Sequence, residues 1–290
     1  MKQGTVLLVG RPNVGKSTFL NNLIGHKVAI TSPKPQTTRF PIQAVYEDDR
    51  GQIMFIDTPG IFGKAEDNLS KKINDRAIDV LEKEVDVVLY MVDHTRRRDF
   101  EEGRVLGLVR KLNVTKKILV VNKIDLQDKS YLAQYRFLEE EVDEVYAISA
   151  LLRKHIDPLM EGIFEALPEV ADDAPSYKED TPHALQNIDS HIFVAELIRE
   201  KIFLHTGKEV PYSATVRVDE IIERENGTMY IQARILTVHD RYKKMLIGKG
   251  GEKVKDLGRL ARKEIELAIN KKVYLDLTVE TDPHWQETLY

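Results

Sequence analysis

Residues 10–17 read GRPNVGKS, a glycine-rich stretch after the apolar run TVLLV and before TFLNNLIG, which can begin a helix. A loop of that kind turns backbone amides toward one point, and the helix N-terminus behind it adds partial positive charge, so it suits phosphate. In that pattern Gly10, Asn13, Val14, Gly15, Lys16, Ser17 and Thr18 would wrap the phosphates. Lys16 would sit against the terminal pair, and the Ser17 hydroxyl would ligate Mg²⁺. Three further stretches extend the chemistry. DTPG at 57–60 ends an apolar run, so Asp57 can hold Mg²⁺ and the Gly60 amide can meet a terminal phosphate. NKID at 122–125 ends another run, and an Asp125 carboxylate accepts from guanine N1–H and N2–H₂, a pattern adenine lacks. Asn122 would brace base and loop, and the Lys123 stem would lie over the ring. SAL at 149–151 (Ser149, Ala150, Leu151) offers the Ala150 amide to guanine O6. Each fragment is common alone; four in order at strand ends point to GTP or GDP as ligand.

The elements that must position these residues follow from hydrophobic rhythm. TVLLVG, IMFID, DVVLYMVD, KKILVVNK and EVYAISA are near-continuous apolar runs, as in a mostly parallel sheet covered on both faces. Between them lie helical stretches such as NLSKKINDRAIDVLEKEV and DFEEGRVLGLVRKL, the alternation of a doubly wound α/β domain. IQAVYEDDRGQIMFID has only a short polar turn between its strands, which predicts an antiparallel hairpin at one edge. The α/β pattern fills residues 1–167. Residues 168–189, rich in proline and acid, read as a linker.

From 190 to 290 the class changes to α+β: helix, strand, strand, helix, glycine turn, helix, strand. HIFVAELIREKIFLHTG carries apolar residues at helical spacing, with Gly207 placed to end the helix. Asn226-Gly227 joins two alternating strands. Ala214, Val216 and Val218 share one face, and Val254, Leu257, Ala261, Ile265 and Ala268 share a helix stripe. The turn is LIGKGGEKV, 246–254. Residues 241–272 hold 11 Lys/Arg against 4 Asp/Glu in a chain whose net charge is −4. Alone, that is a helix–helix turn with a solvated basic face.

The chain of 290 residues has no cysteine, which removes disulfides, thiolate zinc sites and a Cys nucleophile. Its eight histidines show no ligand spacing. Its start is too short an apolar run for a signal peptide, and its longest apolar runs are of strand length. A cytoplasmic protein is expected.

Residues 4–166 resemble the Era-like P-loop GTPases, and residues 190–290 look like a type II KH domain. Together they resemble the Era family, GTPases of small-subunit assembly, over nearly the whole chain. That resemblance implies GTP hydrolysis with Mg²⁺, and single-stranded binding near the 3′ end of small-subunit ribosomal RNA. The RNA contacts would be Ile247, Gly248, Lys249, Gly250, Gly251, Lys253 and Lys255. It also implies a switch threonine on Mg²⁺, Thr37 or Thr38, with Thr38 favoured. Ser17, Thr38 and Asp57 would then be the metal set, and Lys16, Thr38, Gly60 and Asn13 the catalytic set. In hydrophobic-substituted relatives an asparagine at the place of Asn13 helps hold K⁺; on sequence alone Asn13 is equally a turn-former. Ile61 and Phe62 stand where other GTPases carry a water-orienting glutamine, so unassisted turnover is expected at ~10⁻⁴ to 10⁻² s⁻¹. Arg11 and Arg39 are candidate cationic helpers for hydrolysis, though they read in preference as solvated surface arginines. The sequence departs from the family pattern in SALLRKHIDPL, which lacks a glycine, and in the basic run DHTRRRDFEEGR. A monomer that binds no DNA is expected. Two further uses of the basic segment stay open: docking a protein, or an anionic membrane surface that would hold a peripheral fraction on the inner face of the cell membrane.

Overall fold

The computed structural model describes residues 1–34, 37–60, 68–81, 84–127, 129–171, 174–177 and 189–287. It divides into two compact units: residues 1–31 with 38–187, and residues 32–37 with 188–290.

The first unit is built on a six-stranded sheet. Its strands are β1 (Lys2–Val9), β2 (Ile42–Asp48), β3 (Gly51–Asp57), β4 (Val87–Asp93), β5 (Lys116–Asn122) and β6 (Glu144–Ala147). They lie in the order β2-β3-β1-β4-β5-β6. All neighbours are parallel except the β2–β3 hairpin, which pairs antiparallel from Ile42↔Asp57 to Asp48↔Gly51 at the sheet edge. The central strands are apolar on both faces because helices cover both. The helices are α1 (Lys16–Ile24), α2 (Asn68–Leu81), α3 (Phe100–Lys111) and α4 (Ile156–Ala166). Every residue of β4 is buried. β1, β3, β4 and β5 therefore end side by side at one rim, the crevice where open α/β sheets take ligands. Of the stretch expected as a linker, residues 168–171 and 174–177 belong to this unit. Lys2 bridges Glu169, and the Gln3 and Gln52 side chains bond Pro175 and Ser176.

The second unit has the expected order: α5 (Ser190–His205), β7 (Ala214–Glu223), β8 (Met229–Thr237), α6 (Asp240–Ile247), α7 (Glu252–Ile269) and β9 (Val273–Thr281). The sheet order is β7-β8-β9, antiparallel and then parallel. The register shifts between Val218 and Glu220, so that Ile221 pairs with Ile231. That extra residue returns Ile221 to the side of Ala214, Val216 and Val218, which strict alternation would have given to Glu220. Two expectations fail locally. α5 stops at His205, not Gly207, because Thr206 turns extended and its hydroxyl bonds the Ile202 carbonyl at 2.6 Å. Ala268 is exposed, since the buried stripe of α7 runs only through Leu257, Ala261 and Ile265. Among the described residues no helix is long and apolar enough to cross a membrane.

Candidate nucleotide site and glycine turn

At the rim of the first sheet the loop between β1 and α1 closes around its own lysine. Lys16 Nζ donates to the Gly10 carbonyl at 3.0 Å and the Arg11 carbonyl at 3.2 Å. Burial lowers its pKa, opposed by Asp57 and Glu102. Gly15 adopts φ 107°, and a Cβ there would lie 2.2 Å from Asn122 Nδ2, so no other residue fits the backbone or the space. α1 begins behind Gly15 with no side chain capping its amides and no acid in its first turn, which leaves its positive end open to an anion. Asn13 takes φ 64°, the left-handed form a turn asparagine tolerates. Val14 is buried and Thr18 partly buried in the first turn of α1.

Three oxygens converge beside this loop. Ser17 Oγ donates to Asp57 Oδ2 at 2.6 Å and lies 3.1 Å from Thr38 Oγ1. The Thr37 hydroxyl instead donates to the Lys34 carbonyl at 2.6 Å, so Thr38 is the threonine at this corner. Asp57 is fully buried, and among the described residues its Oδ1 has no hydrogen-bond partner. A buried carboxylate with an orphaned oxygen beside two hydroxyls fits a hard divalent cation such as Mg²⁺. Burial pushes the Asp57 carboxyl up to about 6, opposed by the Lys16 ammonium and the Ser17 hydroxyl.

That shift has a thermodynamic consequence without metal. A folded pKa above the unfolded value favours the neutral form in the fold. The penalty for ionising Asp57 is absent near pH 4, grows as pH rises toward 6, and is complete above it. Asp57→Asn is therefore expected to raise the stability of metal-free protein by about 3 kcal/mol at pH 8 and by little near pH 4. Urea unfolding in EDTA at the two pH values measures this; equal effects at both would show that the cause is not titration.

The rest of the DTPG turn is held in place. Thr58 Oγ1 donates to the Leu8 carbonyl at 2.7 Å, and a Cβ on Gly60 would approach the Pro12 backbone to 2.6 Å. Ile61 and Phe62 lie outside the described residues.

The NKID and SAL stretches meet through Asn122. Its Nδ2 donates to the Val14 carbonyl at 2.8 Å, and its Oδ1 accepts from the Ala150 amide at 2.9 Å. That amide, expected to meet guanine O6, is thus engaged by Asn122. Ser149 Oγ donates to Asp125 Oδ1 at 2.5 Å, fixing the carboxylate that would face the base edge. Lys123 Nζ pairs with Asp93 Oδ2 at 2.6 Å, and Leu151 is exposed, its carbonyl 3.3 Å from Asn22 Nδ2.

Sequence reasoning misplaced the two arginines, both of which are fully buried. Arg11 lies beneath the loop, with Nε 2.7 Å from Glu102 Oε2 and Nη1 2.7 Å from Asp99 Oδ2. Its Nη2 donates to the Tyr135 hydroxyl at 3.2 Å, and Tyr90 donates to Glu102 Oε1 at 2.5 Å. Asp99 Oδ1 also caps α3 through the Glu102 amide. The signal that could have found this network was Asp99 as the helix cap of DFEE, one turn from Glu102. Asp93 was missed as well, although it is the last residue of an apolar strand, as Asp57 is.

In the second unit, Ile247 ends α6 and Gly248 to Gly251 form the turn into α7. Gly248 has φ 74°, and a Cβ there would meet the Lys253 Cβ at 2.7 Å. Gly250 and Gly251 also have positive φ. Lys249 and Lys255 are exposed, Lys253 half-buried. The turn therefore presents bare backbone flanked by ammonium groups, which suits close approach of a phosphodiester chain.

Comparison with known proteins agrees with both halves. Residues 5–123 match the family model described as 50S ribosome-binding GTPase, and residues 209–286 match the KH domain model. GTPase Era of Halothermothrix orenii is 42% identical over 288 residues, 99% of this chain and 95% of that protein. GTPase Era of Thermotoga maritima is 41% identical over 292 residues, 99% of this chain and 94% of that one. A variant Era of Aquifex aeolicus bound to GDP and aluminium fluoride superposes with TM-score 0.88 at 36% identity, covering 99% of this chain and 96% of that one. Era in complex with MgGDPNP and nucleotides 1506–1542 of 16S ribosomal RNA gives the same score and identity, covering 99% and 95%.

Proposed function

Because the chain belongs to the GTPase Era family, we propose that it is a GTP-hydrolysing switch that binds the 3′ region of small-subunit ribosomal RNA and acts in assembly of that subunit. The observation that carries this reading is likeness over 99% of the chain to an Era solved with MgGDPNP and 16S ribosomal RNA. Ser17, Thr38 and Asp57 would hold Mg²⁺, which screens charge between the phosphates and polarises the bond to be cleaved. Lys16, now bonded to two loop carbonyls, would exchange them for phosphate oxygens as nucleotide enters. Asp125, aligned by Ser149, would select guanine. The amides of α1 and Gly60 would face charge developing on the terminal phosphate. Thr38 would report nucleotide state, because a metal bound with GTP gives its hydroxyl a ligand to hold. Asn13 is the candidate for a K⁺ ion at the reacting phosphate. Ile247 and Gly248–Gly251 would admit the RNA backbone, with Lys249, Lys253 and Lys255 meeting phosphates, and the protein would work as a cytoplasmic monomer.

The test is GTP turnover in K⁺ and in Na⁺, with and without a short RNA matching the small-subunit 3′ end. Acceleration by RNA supports the coupled switch, and K⁺ dependence supports the role of Asn13. Lys249→Glu is expected to weaken RNA binding and to lower the slope of log affinity against log salt by about one or more, with GDP affinity unaltered. An unchanged slope together with RNA-independent turnover would leave a GTPase whose basic domain docks another partner.

A further inference from the structure

We propose that His94 is a positioning residue for guanine recognition, one that holds the Lys123–Ile124 peptide in the orientation that aims the Asp125 carboxylate. The proposal rests on the guanine reading of Asp125 and deepens it.

β4 and β5 end in register, Asp93 opposite Asn122, so the residues that follow leave the sheet side by side. Lys123, the first after β5, has φ 69°, a left-handed backbone that is unfavourable for a residue carrying a side chain. Something must hold it there, and the chain leaving β4 does. The Asp93 carboxylate takes the Lys123 ammonium at 2.6 Å. His94 Nε2 lies 2.9 Å from the Lys123 carbonyl, which also accepts the Leu126 amide at 2.9 Å. A carbonyl can only accept, so His94 Nε2 carries a hydrogen.

The other ring nitrogen fits the same tautomer. Nδ1 lies 3.2 Å from Ser130 Oγ, and Ser130 Oγ accepts the Leu132 amide at 3.3 Å. Its own proton is therefore free to point at Nδ1, and the tautomer with its hydrogen on Nε2 satisfies every partner. The His94 carbonyl accepts the Tyr131 amide at 2.7 Å, and the residue is buried. Both of its ends are fixed by the segment 130–132, and its working hydrogen bond is to the Lys123 carbonyl. Rotation of that peptide moves Ile124 and Asp125, and Asp125 reads two hydrogens of guanine. Among the described residues, the hydrogen bonds of His94 run to Lys123, Ser130 and Tyr131 and none to the phosphate loop.

The test uses GDP and IDP, whose base lacks the 2-amino group and so makes only one of the two bonds to Asp125. His94→Ala is expected to weaken GDP binding ~3- to 10-fold, the size of one hydrogen bond, and IDP binding less, so the GDP:IDP ratio narrows. His94→Gln, whose amide nitrogen reaches the place of Nε2, is expected to restore the ratio. His94→Asn, whose amide stops short of it, is expected to behave as alanine does, and this Gln/Asn pair carries the test if the alanine variant does not fold. Equal losses for GDP and IDP, no loss, or equal behaviour of Gln and Asn would overturn the proposal. Asp125→Ala is the control: if it leaves the GDP:IDP ratio intact, the guanine reading itself fails, whatever His94 does.

Discussion

Asp125→Ala is expected to cut GTP and GDP affinity by roughly 10²- to 10⁴-fold while leaving the fold intact. A carboxylate facing guanine N1–H and N2–H₂ makes two charge-assisted hydrogen bonds, each worth about 1.5–3 kcal/mol when water is excluded. The Ser149 hydroxyl at 2.5 Å removes the rotational freedom that would otherwise be lost on binding, so little of that energy is spent on ordering. Asp125→Asn sharpens the test. Its amide can donate where the carboxylate accepted, so it should repel guanine N2–H₂ and favour xanthine, which carries a carbonyl at C2. Fluorescence titration with labelled GDP and competing XDP gives both numbers. A variant that still preferred GDP would place the base elsewhere.

Glu102→Ala is expected to destabilise the protein by roughly 3 kcal/mol or more, the usual effect of removing one member of a buried ion pair. Arg11 is fully buried, and its guanidinium cannot shed its charge, so the loss of Glu102 leaves only the half-exposed Asp99 to neutralise it. Burial raises the Glu102 pKa, opposed by the Tyr90 hydroxyl and Arg11, which shows that the carboxylate is itself held at some cost. The pair is then worth less than its breakage. The double variant Arg11→Met with Glu102→Leu should recover most of the stability that the single variant loses. Denaturant unfolding of Arg11→Met, Glu102→Leu and the double variant closes the cycle. Additive losses would mean that the two side chains act independently. Nucleotide affinity should fall in the Glu102 variant as well, since Lys16 bonds the Arg11 carbonyl and the loop sits on this network.

Much of this was legible from the chain because the informative residues stand at strand ends. An apolar run followed by DTPG or NKID tells where the sheet stops and what it presents there. The glycine pattern specified the P-loop, and the hairpin edge followed from the short polar stretch EDDRGQ, of which only Asp49 and Arg50 lie between the strands. Position along the chain could not reveal partners far apart in it. Arg11 looked like a surface residue because its counter-charges arrive 88 residues later at Asp99, and again at Glu102. Thr37 and Thr38 are indistinguishable as types; only the fold shows that it is Thr38 whose hydroxyl lies 3.1 Å from Ser17 Oγ. The bulge after Val218 was equally hidden, since VRVDEIIE reads as slightly imperfect alternation until the register is known.

Asn122 carries a liability that follows from its two bonds. Its nitrogen faces the Val14 carbonyl and its oxygen the Ala150 amide. Spontaneous deamidation would replace that nitrogen with a negative oxygen, set against a carbonyl and beside Gly15. One hydrolysed amide would thus spread apart the loops that read phosphate and base. Burial and these two bonds slow that hydrolysis, so the tie between the loops should outlast exposed amides such as that of Asn226 in its Asn-Gly turn.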